Sequence, residues 1–166
     1  MSGKDKKQFR RRLMRIPEGA NQEVAQAEFG RVLKKDLFLY FFDLEVKRAR
    51  RYQNFLCLLL LNLKQLPKTD NGRYFQTCQK TLGNLLSREV RETDMLGSFG
   101  KNKLAVLLPY ADASAGDHAK SRLESTLKYY DFKSKGYEVT IDKICYPMNG
   151  TDTMELIKKA LGTELS

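Results

Sequence analysis

The run FLCLLLLNL, Phe55 to Leu63, sets the terms for any fold this chain can adopt. Eight of its nine residues are apolar. A membrane-crossing helix needs about 20 such residues, so the run is too short to span a bilayer. It does not alternate, so it does not read as a strand with one wet face. A continuous apolar run closed by Asn54 and Lys64 suits a central strand, "NFLCLLLLNLK", covered on both faces. The other apolar run, LFLYFF from Leu37 to Phe42, is shorter and sits among charges.

A strand buried on two sides needs amphipathic helices to cover it, and the flanking sequence supplies them. From Asn21, a candidate cap, to about Arg51, apolar residues recur at three- and four-residue steps: Val24, Phe29, Val32, Leu33, Phe38, Phe41, Phe42, Leu44, Ala49 and Tyr52. KRARRY closes this helix with cations that suit its C-terminal dipole. PKTDNG reads as a turn. Arg73 to Arg91 reads as a helix, with Phe75, Cys78, Leu82, Leu85, Leu86 and Val90 on one side. DMLGSF and KLAVLLPY form a hairpin around GKN. Asp112 caps the next helix. Tyr137 to Pro147 alternates as a strand. Thr151 to Gly162 is a last helix, capped by Thr151 or Asp152 and stopped by Gly162. With 166 residues, the order predicts one α/β domain, a mixed sheet with helices on its faces.

Charge divides the chain. The formal net charge is +10, and residues 1–15 carry six of those charges through seven basic residues against Asp5. Residues 1–20 read as a basic flexible tail, and residues 21–166 as the domain. The tail suits an anion-binding arm for nucleic acid or an anionic membrane surface, or a plain solvated extension. No apolar segment of leader type follows the basic N-terminus, so no secretory leader is expected. Cys57, Cys78 and Cys145 are odd in number and lack metal-ligand spacing. Buried free thiols are expected, which suits a reducing cytoplasm. His118, the single histidine, reads as a surface helix residue, against histidine-based catalysis or metal binding.

Four ordered stretches carry a resemblance. RARRYQNFLCLLLLNLK resembles RARRYxxPLSLLLLDLDxFK. VRETDMLGSFGKNKLAVLLP resembles xRxSDLVARxGGDEFAVLLP. AKSRLESTL resembles an AERLREAL helix, and VTIDKICYPMNG resembles VTVSIGVAxYPxDG. Over roughly residues 27–162 the chain thus resembles a GGDEF domain, the fold of the diguanylate cyclases. The resemblance implies a mixed five-stranded sheet flanked by helices, of the nucleotide-cyclase type, in a bacterial cytoplasmic signalling protein.

Diguanylate cyclases join two GTP molecules into cyclic di-GMP, using carboxylates that hold magnesium, a hard cation that demands oxygen ligands. Here the signature positions read Gly100, Lys101, Asn102, Lys103 and Leu104, with Asn102 in the metal-binding place. The strand acid is Asn62, and the next acid is Lys64. Like charges about 4 Å apart repel by ~1 kcal/mol in water and by more when partly desolvated, so Lys101 and Lys103 oppose a bound cation. Phosphate- and base-contacting positions read LPKTDN, a GHxxGD segment is missing, AEFGRVLKK stands for DxLTGLxNR, and the terminal Tyr and Lys of the last helix are absent. The resemblance therefore implies an inactive homologue with no metal and no cofactor.

One further site is retained. RETD, Arg91 to Asp94, stands five residues before the signature, where the family carries its RxxD product site, and Arg122 matches the arginine on the following helix. A guanidinium fork suits the guanine O6/N7 edge or phosphate, and a carboxylate accepts from guanine N–H groups. The family's adjacent arginine is Ser98 here. Arg91, Asp94 and Arg122 are thus candidate ligands for cyclic di-GMP; alternatively they are an ordinary helix end, a strand start and an exposed helix residue. Three readings stand: a silent GGDEF-like receptor for cyclic di-GMP, a nucleotide-independent module that docks a protein partner, and a nucleic-acid or membrane-surface binder driven by residues 1–15. The last predicts affinity that falls steeply with salt.

Overall fold

The computed structural model describes residues 31–67 and 72–162. The basic tail, the expected helix start at Asn21 and most of the PKTDNG turn lie outside them. In chain order the elements are helix α1 (Lys35–Tyr52), strand β1 (Leu56–Gln65), helix α2 (Phe75–Glu89), strands β2 (Met95–Gly100) and β3 (Lys103–Pro109), helix α3 (Ala113–Leu127), strand β4 (Tyr137–Tyr146) and helix α4 (Thr153–Gly162). Among the described residues the strands form one sheet in the order β2-β3-β1-β4.

β1 is the centre of the molecule. Every residue from Leu56 to Leu63 is buried, as its unbroken apolar run requires. Cys57, Leu59, Leu61 and Leu63 pack with Leu82, Leu85 and Leu86 of α2 and Leu123 and Leu127 of α3. Leu56, Leu58 and Leu60 pack with Phe38, Phe42 and Val46 of α1 and Leu156 and Ala160 of α4. Full burial of one such side chain is worth about 1.5–3 kcal/mol, so this strand organises both halves of the core.

The helix ends follow local chemistry. The Asp112 carboxylate accepts the Ala115 N–H at 2.8 Å and caps α3. Asp152 accepts the Glu155 N–H at 2.8 Å while Glu155 accepts the Thr151 N–H at 2.8 Å, a reciprocal cap at the start of α4. α1 ends at Gln53 in the left-handed region, φ 54°, after Arg50 and Arg51 in its last turn. His118 is exposed on α3, as expected.

Three expectations need correction. The sheet has four strands among the described residues, not five, and every strand pair is antiparallel rather than mixed. The parallel component shrinks to one bridge, Leu33 with Gly97, because the chain turns helical at Lys35. For the same reason Val32 and Leu33 are not helical, although they fit the helical spacing. Cys57 and Cys145 are not free thiols. The β1–β4 register sets them directly opposite, with Cα atoms 4.2 Å apart, and they are bonded as a disulfide across 88 residues of sequence. This removes the step from free thiols to a reducing compartment. Cys78 is free and buried, and burial pushes its thiol pKa up against a smaller opposing pull from Lys135. No helix among the described residues is long and apolar enough to cross a membrane.

α1 packs on β2, and its tightest approach is at Gly97. A Cβ at Gly97 would overlap the Phe38 ring, which is fully buried against the strand. Overpacking of this kind costs about 1–3 kcal/mol. Gly97→Ala is therefore expected to lower the urea midpoint by an amount equivalent to about 2 kcal/mol at unchanged m-value. An unchanged midpoint would mean that Phe38 moves aside without cost.

Candidate functional site

The hairpin tip is built into the domain rather than left loose. β2 and β3 are joined by Lys101 and Asn102, with Gly100 paired to Lys103 beyond a bulge after Ser98. The Asn102 carbonyl accepts the Leu63 N–H at 2.8 Å, and its Nδ2 donates to the Leu63 carbonyl at 3.4 Å. The tip thus extends the β1–β3 pairing one residue past its last register pair, Asn62 with Lys103. Gln79 of α2 donates to the Lys101 carbonyl at 3.1 Å. Leu104 is buried in the α2–α3 half of the core, and Lys101 is exposed.

Asn62 lies beside this tip, 2% exposed in an otherwise apolar strand. Its Nδ2 donates to the Asp142 carboxylate of β4 at 3.2 Å. Its Oδ1 is sealed from solvent without a partner, and so is the Oγ1 of Thr140, its cross-strand neighbour. Magnesium needs converging oxygens with negative charge. Asn62 and Asn102 instead turn amide N–H groups toward a carboxylate and a carbonyl. Lys101 and Lys103 flank them, and no cluster of three or more acidic, histidine or cysteine side chains among the described residues could hold a metal ion. The residues do not fit the magnesium site that the resemblance calls for.

A sealed, unpartnered amide oxygen costs about 1–3 kcal/mol. Leu has the branching of Asn without the polar atoms, and the abandoned partner Asp142 is only half-buried. Asn62→Leu is therefore expected to raise stability by about 1 kcal/mol in chemical denaturation. A loss of stability would show that the bond to Asp142 outweighs the orphaned oxygen.

The Arg91–Asp94 turn follows α2. The Arg91 N–H donates to the Asp94 carboxylate at 2.9 Å, and the Asp94 N–H donates to the Arg91 carbonyl at 3.0 Å. This double closure explains why Asp94 is 8% exposed. Its second oxygen, Oδ1, has no hydrogen-bond partner among the described residues. The Arg91 side chain is exposed and makes no hydrogen bond or ion pair to them. Arg122 stands exposed on α3, which covers the same face of the sheet as α2. The fold thus brings Arg91 and Asp94 together through backbone bonds, and no bond joins either to Arg122.

One residue of this region gave no signal in the sequence. Arg31 donates through its guanidinium to the carbonyls of Val90 at 3.3 Å, Arg91 at 2.9 Å and Asp94 at 3.2 Å. Its partners are main-chain oxygens 59 to 63 residues away, which residue types cannot reveal.

No family model matches the sequence, and no curated protein matches it. Solved structures do match the fold. A crystal structure of a DGC protein from Thermotoga maritima is 20% identical over 80% of this chain and 98% of its own, with a TM-score of 0.64. The GGDEF domain of YfiN (TpbB) from Pseudomonas aeruginosa is 17% identical over 78% of this chain and 85% of its own, TM-score 0.65. The GGDEF domain of DgcB from Caulobacter crescentus, solved in complex with c-di-GMP, is 13% identical over 81% of each chain, TM-score 0.64. At such identities the likeness is one of fold. The chain is a GGDEF-like domain in its architecture, as the four sequence stretches imply.

Proposed function

We propose that this domain is a catalytically silent GGDEF-like receptor that binds cyclic di-GMP through Arg91, Asp94 and Arg122. The observation that carries the reading is the closed Arg91–Asp94 turn. Among the described residues it presents a guanidinium without a hydrogen bond or ion pair and, three residues on, a carboxylate with one oxygen still without a partner. A ligand with guanine edges and phosphates answers both groups: the fork donates to O6/N7 or to phosphate, and the carboxylate accepts base N–H. Arg122, on the same side of the sheet, would add a guanidinium plane for stacking. A structural neighbour solved in complex with c-di-GMP adds support.

Silence as a cyclase is supported by the donor set. Asn62 and Asn102 offer neutral amides where the chemistry needs charged oxygens, and each amide nitrogen is already bonded to an acceptor of this chain. This reading places the domain in the cytoplasm, where guanine nucleotides are made. A second reading, docking of an acidic protein surface, is favoured by the clamped hairpin, which holds exposed Lys101 on a rigid tip.

Calorimetric titration of cyclic di-GMP tests the first reading. Micromolar binding is expected. Arg91→Ala and Asp94→Asn are each expected to weaken it at least about tenfold, since a hydrogen bond to a charged group contributes about 1.5–3 kcal/mol. Asn at position 94 keeps an acceptor for the Arg91 N–H, so the turn survives the change. No heat at ~100 μM ligand would sink the receptor reading. Incubation with GTP and magnesium should yield no cyclic di-GMP, and measurable product would sink the claim of silence.

A further inference from the structure

Among the described residues, the bonds of Arg31 all go to one place. Its guanidinium reaches three carbonyls of the Val90–Asp94 segment, at 2.9 to 3.3 Å. Its N–H donates to Ser87 Oγ near the end of α2 at 3.2 Å, and that hydroxyl donates to the Gly83 carbonyl at 2.8 Å. Two residues on, the Leu33 N–H donates to the Leu96 carbonyl at 2.9 Å, and its carbonyl accepts the Ser98 N–H at 2.8 Å. Arg31 and Leu33 thus bond the last turn of α2, the turn itself and β2.

The carbonyls concerned are those that a helix end and a tight turn leave without intrahelical donors. One planar guanidinium serves several of them at once because its five N–H groups are fixed in a fork. A lysine ammonium carries the same charge but not that geometry.

We infer that Arg31 is a positioning residue for the Arg91–Asp94 turn: it fixes the backbone from Val90 to Asp94 and thereby sets where the Arg91 fork and the Asp94 carboxylate stand. For its functional meaning this rests on the ligand reading above. By linkage, a ligand that needs the turn in this shape favours the seated Arg31 as much as the seated Arg31 favours the ligand. The approach to the fold and the candidate ligand site then act as one unit.

Residue-resolved amide hydrogen exchange on the full chain tests this, on the wild type, Arg31→Ala and Arg31→Lys, each also titrated with cyclic di-GMP. In Arg31→Ala the Arg91 and Asp94 amides should exchange about tenfold faster, with Leu59 and Leu60 of β1 unchanged, and the ligand affinity should fall about tenfold. Arg31→Lys should behave as Arg31→Ala, because the fork rather than the charge does the positioning. Unchanged exchange at Arg91 and Asp94 overturns the inference. So does an equal acceleration in β1, which would mark a general loss of stability, or a return to wild-type behaviour with lysine. Local acceleration with undiminished affinity overturns it too. If the wild type binds no cyclic di-GMP, the receptor reading falls alone, and the exchange pattern still decides whether Arg31 holds the turn.

Discussion

The burial of β1 on both faces is the constraint on which everything else in this domain depends. A strand with one wet face needs helices on one side only. Eight successive buried residues, Leu56 to Leu63, need them on both. That requirement fixes α2 and α3 on one side and α1 and α4 on the other, with β3 and β4 as the neighbours that satisfy its main-chain bonds. It also decides where chemistry can occur. Charge is costly within such a strand, so functional groups are pushed to its ends and to the loops beyond the helices.

Asn62 stands where those two demands meet. It shares the alternation of Leu58 and Leu60 but comes where β1 leaves the shelter of the helices. A carboxylate in its place, 2% exposed and within hydrogen-bonding reach of Asp142, would set two negative charges against each other unless a cation lay between them. The amide removes that conflict by donating a hydrogen bond, so the site holds together without metal. What the amide leaves unmet is its sealed Oδ1, across from the equally sealed Thr140 hydroxyl. Among the described residues these are the buried side-chain oxygens left without a partner, side by side at one end of β1.

Much of this was legible in the sequence, and the failures share a cause. Helices and strands announced themselves through apolar spacing, and the central strand through its unbroken run, because burial is recorded in residue type. The caps at Asp112 and Asp152 were legible for the same reason: only short acceptor side chains serve there. Features set by register were not. The Cys57–Cys145 pairing follows from which residue of β4 faces which residue of β1, and neither apolar run states its partner. The strand count failed where the chain beside Gly97 makes one bridge and then turns helical, a choice that Val32 and Leu33 do not encode. Arg31 was invisible because it bonds to main-chain oxygens. At the candidate sites, sequence gave the residue types at positions 62, 91, 94, 102 and 122. The structure added that Asn62 and Asn102 are bonded, that Asp94 closes its own turn, and that no bond joins Arg122 to that turn.

Asn62 and the Arg91–Asp94 turn lie on different sides of the sheet, and this bears on how far one depends on the other. Asn62, Thr140 and Asp142 belong to the side of the sheet covered by α1 and α4, by their alternation with Leu58 and Leu60. The Arg91–Asp94 turn is an extension of α2, on the other side. Between them lies the packed apolar core of β1, and groups separated by such a core, with no shared partners, contribute almost independently. The segment from Arg31 to Phe38 touches both halves: Arg31 grips the turn, Leu33 pairs with β2, and Phe38 covers Gly97 in the α1 half of the core. These eight residues therefore give a direct physical route between the two halves, beside the sheet itself, whose close packing resists small shifts.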